Sequence, residues 1–196
     1  MTWKKAGYRV AIAAEDGRTL GADWVLPQKE YDGYANAVNR LARCILDNDR
    51  DCDVLVASGD DMFPDQSRTA SEIALEFVAH FRGTLGVMQP TGDRWTLGTS
   101  DQPQSERVAG SPWLGREWCQ RAYMGNGPLW GGYYHCFVDN SLAEVAAMHG
   151  VMAWWPHVTH RHEHYLRHGR PPPQHARAGY ARWERGSAGG SSGFSG

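Results

Sequence analysis

The segment Val54-Leu55-Val56-Ala57-Ser58-Gly59-Asp60-Asp61-Met62-Phe63-Pro64-Asp65 constrains this chain more than any other, because an apolar run stops abruptly at paired carboxylates and a proline. A short apolar run bounded by turn residues reads as a buried strand of a parallel sheet. In open α/β sheets, ligands sit just beyond the carboxyl ends of such strands. Two adjacent acids there repel each other unless a cation or hydrogen-bond donors lie close. The alternative is an Asp-rich turn, since Asp and Pro are ordinary turn formers.

The flanking pattern alternates between strand and helix. Tyr8 to Ala14 reads as a first strand, with a weaker one around Asp23 to Leu26. From Tyr34 to Leu46, the apolar Ala35, Val38, Leu41, Ala42 and Ile45 recur at helical spacing. Ser67 or Thr69 can cap a helix whose Ile73, Ala74, Phe77, Val78 and Phe81 share a face before Gly83. Thr84 to Met88 follows as a strand. The order strand, helix, strand, helix, strand predicts an α/β layered domain.

Gln89 to Gly110 is polar and rich in turn residues, so it reads as a long loop of the kind that is often functional. A helix is predicted around Glu117 to Tyr123, ahead of the glycine-rich Gly125 to Gly132. An apolar-aromatic segment from Tyr133 to Val138 ends at Asp139. Asn140 or Ser141 can start a helix through Leu142, Val145, Ala146 and Met148, with Gly150 as its stop. Val151 to Trp155 supplies a late strand. The cluster His157, His160, His162, His164 and His168 follows. The chain therefore divides into a domain over 1–170 and a Pro/Gly/Ser-rich flexible tail over 171–196.

Composition narrows the classes of function. A chain of 196 residues with formal net charge -2 and no basic run lacks a dominant phosphate-neutralising surface for nucleic acid. Cys44, Cys52, Cys119 and Cys136 form no C-x-x-C pair, and the start, Met-Thr-Trp-Lys-Lys-Ala-Gly, lacks a signal peptide's apolar core. A reduced, cytoplasmic setting and no transmembrane segment are expected. No Gly-x-Ser-x-Gly elbow, Walker-type loop or dinucleotide fingerprint is present.

Acids after a strand, an acid at a helix start and histidines after a late strand, in this order, resemble the nucleotide-sugar-dependent glycosyltransferases of the GT-A fold, in particular the inverting, family-2-like members. The matching residues are Asn36 or Asn39, the Val54 to Pro64 segment, Gly125 to Gly132, Tyr134-His135-Cys136-Phe137-Val138-Asp139-Asn140-Ser141-Leu142, and His160-Arg161-His162-Glu163-His164. The resemblance spans Tyr8 to Gly169. It implies an α/β, GT-A-like (Rossmann-related) fold: a mixed, mostly parallel sheet flanked by helices. It also implies transfer of a sugar from a nucleoside diphosphate sugar to an acceptor hydroxyl, with manganese or magnesium against the diphosphate.

Carried over by position, Asp61 is the preferred metal ligand, and Asp60 faces the ribose or assists the cation. Family members often show an acid two places before the ligand, where Gly59 stands here. His162 or His164 completes the metal site, since imidazole is a competent ligand for manganese-like ions. Asp139 matches the general base of inverting members, and its structural alternative is a helix N-cap. Asn39, Gly131 and Gly132 are expected to approach the donor. Trp130, Tyr133 and Tyr134 can stack on sugar or nucleobase, or else pack in the core.

The chain departs from this family at its start. Trp3 and Gly7-Tyr8 resemble the end of the first helix and the second strand, and the resemblance implies that the first βα unit is not in this sequence. A compact variant, a truncated product or a partner chain that supplies the unit would each account for this. Two other functions compete. A metal-dependent hydrolase could use His160, His162 and His164 as a clamp, since alternate residues of an extended segment share a side. A noncatalytic sugar-nucleotide-binding module would keep the fold without turnover.

Overall fold

The computed structural model describes residues 2–14, 18–96 and 100–171. A helical turn, α1 (Thr2–Lys5), precedes β1 (Ala11–Ala14) and β2 (Trp24–Pro27), which pair in parallel. Next come α2 (Tyr34–Asn48), β3 (Val54–Val56), β4 (Met62–Phe63), α3 (Ala70–Phe81) and β5 (Val87–Pro90). β6 (Trp113–Gly115) runs directly into α4 (Arg116–Gly125). The chain continues through α5 (Val138–Met148), β7 (Met152–Trp155) and β8 (Arg161–His162).

The central sheet has the strand order β3-β6-β5-β7. β6 is antiparallel to both neighbours, whereas β5 and β7 are parallel. Side chains alternate between its faces, as the pleat requires. Leu55, Val87 and Leu114 enter one core with Ala35 and Ala42 of α2 and Leu142 and Ala146 of α5. Met88, Trp113, Ala153 and Trp155 enter a second core with Ile73 and Phe77 of α3. The protein is thus a mixed α/β structure whose central sheet carries helices on both faces, which is why its strands read as continuous apolar runs.

Local chemistry sets the element ends. At α3, the Thr69 hydroxyl accepts the Glu72 N–H while the Glu72 carboxylate accepts the Thr69 N–H, a reciprocal capping box. α2 starts at Gly33, where a Cβ would lie 2.5 Å from the Tyr134 carbonyl oxygen. Arg116 ties the far end of α2 to α4, with its Nε donating to the Cys52 carbonyl at 2.8 Å and its Nη2 to that of Asp49.

Several boundaries differ from the sequence reading. The first strand begins at Ala11 because the Val10 N–H turns to the Asp23 carboxylate at 2.7 Å. The strand expected over Thr84 to Met88 lies at Val87–Pro90, and the Thr84 hydroxyl instead accepts the Glu117 N–H. β4, β6 and β8 have no counterpart in the sequence reading, being too short for a periodicity to register. α4 departs from helical geometry at Ala122, Tyr123 and Met124, the last two with positive φ. α5 starts at Val138 rather than at Asn140 or Ser141. The expected tail lies, from residue 172 onward, outside the described residues. Among the described residues no helix is long and apolar enough to cross a membrane, and the four cysteines are free thiols.

Candidate functional site

The chain leaves β3 through the exposed Gly59 and Asp60 and returns as β4, which pairs with β8. In that antiparallel ladder Met62 lies opposite His162, and the Glu163 N–H donates to the Asp61 carbonyl at 2.8 Å. The register brings His162 Nε2 to 3.2 Å from Asp61 Oδ2. This hydrogen bond holds the Asp61 carboxyl below the usual aspartate range, against the opposing effect of its partial burial. Gly59 makes room for the pair, because a Cβ there would lie 2.8 Å from Asp61 Oδ1. An acid at position 59 could not be added without moving Asp61.

His164 packs beside this pair, with its ring centroid 4.9 Å from that of His162 and 5.3 Å from that of Trp95. Its Nδ1 accepts the Leu166 N–H at 3.2 Å, which leaves the proton of the neutral ring on Nε2. Burial pushes its pKa down. Asp93 anchors the same wall: Oδ2 accepts the His162 N–H at 3.0 Å, and Oδ1 pairs with Arg167 at 2.7 Å. The Arg167 guanidinium in turn lies over Trp95. The sequence reading assigned Asp93, Trp95 and Arg167 no role, although the first two stand in the polar segment marked as a functional loop.

Asp139 occupies the first turn of α5. The residue preceding the helix is Phe137, in the left-handed region at φ 67° and with no side-chain cap, so Asp139 is not the N-cap. Its Oδ1 accepts the Asn140 N–H at 3.0 Å. Burial nevertheless pushes the carboxyl above the ordinary range, outweighing that bond and the nearby His135. The Tyr34 hydroxyl is held strongly in its protonated form by burial, then by the negative charges of Asp139 and Asp61. Both carboxylates therefore lie within electrostatic reach of one phenol. Tyr31 stands beside it, bonded to His135 Nδ1 at 3.2 Å.

The remaining candidates behave differently. His160 is buried, with Nδ1 2.8 Å from the Ser111 hydroxyl and Nε2 accepting the Trp113 indole N–H at 3.2 Å. Burial lowers its pKa to about 4. With both nitrogens engaged, it does not join His162 and His164 in a three-imidazole clamp. Asp65 is likewise structural, accepting from Ser67 and from the Thr159 N–H.

Asn39, Gly131 and Gly132 line a separate cleft of about 480 Å³ that neither Asp61 nor Asp139 lines. Asn39 itself is a buried clamp: its amide donates to the Leu129 carbonyl at 2.8 Å and accepts the Leu129 N–H at 3.0 Å. Arg40, Arg43 and the half-exposed Trp130 also face this cleft. The two arginines follow Asn36 at helical spacing, a signal present in the sequence but masked by reading α2 for its apolar face alone.

Among the described residues no group of three or more His, Cys, Asp or Glu side chains is placed to hold a metal ion. Asp61 and His162 instead offer two paired donors. A divalent cation there would displace the proton that His162 Nε2 now shares with Asp61 and would draw its other ligands from a diphosphate and water. Compared with known proteins, the chain matches no family model, no curated protein and no solved structure.

Proposed function

We propose that this protein is a metal-dependent glycosyltransferase that moves a sugar from a nucleoside diphosphate sugar to an acceptor hydroxyl with inversion. The observation that supports the reading is the unlike state of two carboxyls: the His162 hydrogen bond lowers the proton affinity of Asp61, while burial raises that of Asp139. Carboxyls driven apart in this way suit different roles in one reaction. Asp139 accepts the proton of the acceptor hydroxyl as its oxygen attacks the anomeric carbon, and its burial strengthens it as a base. Asp61 and, once its Nε2 has lost its proton, His162 would hold manganese or magnesium, with His164 beside them and Asp60 toward the ribose. When bound, that cation neutralises charge on the departing diphosphate.

A central sheet in which β3, β5 and β7 run one way and β6 is reversed, with helices on both faces, supports a GT-A-like reading. Among the described residues β1 pairs only with β2 and β3 only with β6, so each sheet keeps a free edge. A βα unit supplied by a partner chain would add its strand at such an edge.

The test is a panel of nucleoside diphosphate sugars with manganese, monitored for nucleotide binding, donor hydrolysis and transfer. Asp61→Ala is expected to abolish metal-dependent nucleotide binding while leaving the fold intact by circular dichroism. Unchanged binding in that variant would remove Asp61 as a ligand. Nucleotide binding without turnover of any donor, across a wide set of acceptors, would identify a noncatalytic module instead.

A further inference from the structure

The cleft beside α2 has a chemistry of its own. Its floor is the helix face carrying Asn36, Arg40 and Arg43, and its opposite wall is the segment holding Trp130 and Gly131. Trp130 is 46% exposed, a large indole left open to solvent beside Tyr123 at a centroid distance of 5.7 Å. Gly131 adds no side chain to cover it; a Cβ there would come within 3.0 Å of Asn36 Oδ1. An accessible aromatic plate flanked by amides suits the apolar face and hydroxyl edge of a sugar ring.

Charge narrows the ligand further. Arg40 is held by Asp32 in a two-pronged ion pair, with one contact at 2.9 Å. Arg43 is exposed, and no carboxylate pairs with it among the described residues. The cleft therefore carries one uncompensated guanidinium, whose planar fork matches a carboxylate. Its volume of about 480 Å³ suits one or two sugar rings.

We propose that this cleft binds an acidic saccharide, a uronic acid or a glycan containing one, with its ring on Trp130 and its carboxylate on Arg43. The binding itself requires neither metal nor donor.

Isothermal titration of the full chain, free of metal and nucleotide, tests this with three probes: a galacturonate tetrasaccharide, the neutral galactose tetrasaccharide and UMP. The galacturonate oligomer is expected to bind about tenfold or more tightly than the neutral one, as loss of one charge-assisted pair implies. Arg43→Ala and Trp130→Ala should each weaken it by about tenfold, Arg43→Ala with an unchanged thermal melt because its side chain is exposed. Asp61→Ala and Asp139→Asn should bind it like the wild type, so failure of sugar transfer and failure of the cleft are read separately. Absence of galacturonate binding, equal binding of the neutral oligomer, or indifference to Arg43→Ala would each overturn the proposal. So would UMP binding that Arg43→Ala abolishes, which would give the cleft to the nucleotide.

Discussion

His160 shows how a histidine in a functional-looking cluster can serve the fold alone. Its neutral ring sits between Ser111 and Trp113, and burial holds its pKa at about 4 against an ordinary 6.5. A depressed folded-state pKa stabilises fully above the unfolded value and loses that contribution as pH falls toward the folded one. Stability should therefore decline between pH 6.5 and 4, by up to about 3 kcal/mol from this residue. Urea unfolding across this range is expected to show the slope in the wild type and a shallower one in His160→Gln. Asp139 has the opposite sign: its raised carboxyl costs stability when ionised, a cost relieved as pH falls through its folded pKa. As a base it must be ionised, so the acid limb of the transfer rate should lie above the ordinary aspartate range. Asp139→Asn is expected to lower transfer by at least about 100-fold with Tm unchanged or higher. Full transfer activity in that variant would dismiss Asp139 as base.

At the scale of elements, short ladders and caps do most of the positioning. The β4–β8 pairing lasts two residues on each strand, yet its register decides that His162 rather than His160 meets Asp61. Of the two caps the sequence offers for α3, Ser67 and Thr69, the structure uses Thr69, which precedes Glu72 by the three positions a capping box requires. Thr69→Ala should cost about 1 kcal/mol, measured by chemical denaturation, with metal-dependent nucleotide binding preserved. α2 carries three kinds of surface at once: Ala35 and Ala42 in the core, Asn39 clamping Leu129, and Arg40 and Arg43 on the cleft. Its apolar periodicity revealed the first of these. Asn39 read as a donor contact because its partner is 90 residues away in sequence.

For the whole molecule, the layered order of helices and strands followed from local pattern. Apolar runs at Val54 and Val151, helical spacing after Tyr34 and Ala70, and turn residues between them act over a few neighbouring positions, so the sequence alone determines them. The antiparallel insertion of β6 between β3 and β5 was not legible, because a three-residue strand acquires its identity only from partners distant in the chain. The same holds for the candidate site. That Asp60 and Asp61 follow an apolar strand and that Asp139 stands in the first turn of a helix was readable from residue type and order. Tertiary structure alone decided that Asp61 takes His162, that His160 retreats into the core, and that Asn39, Gly131 and Gly132 build a cleft apart from the two carboxylates. Burial, register and long-range pairing fix those outcomes, and each depends on which distant segments the folded chain brings into contact.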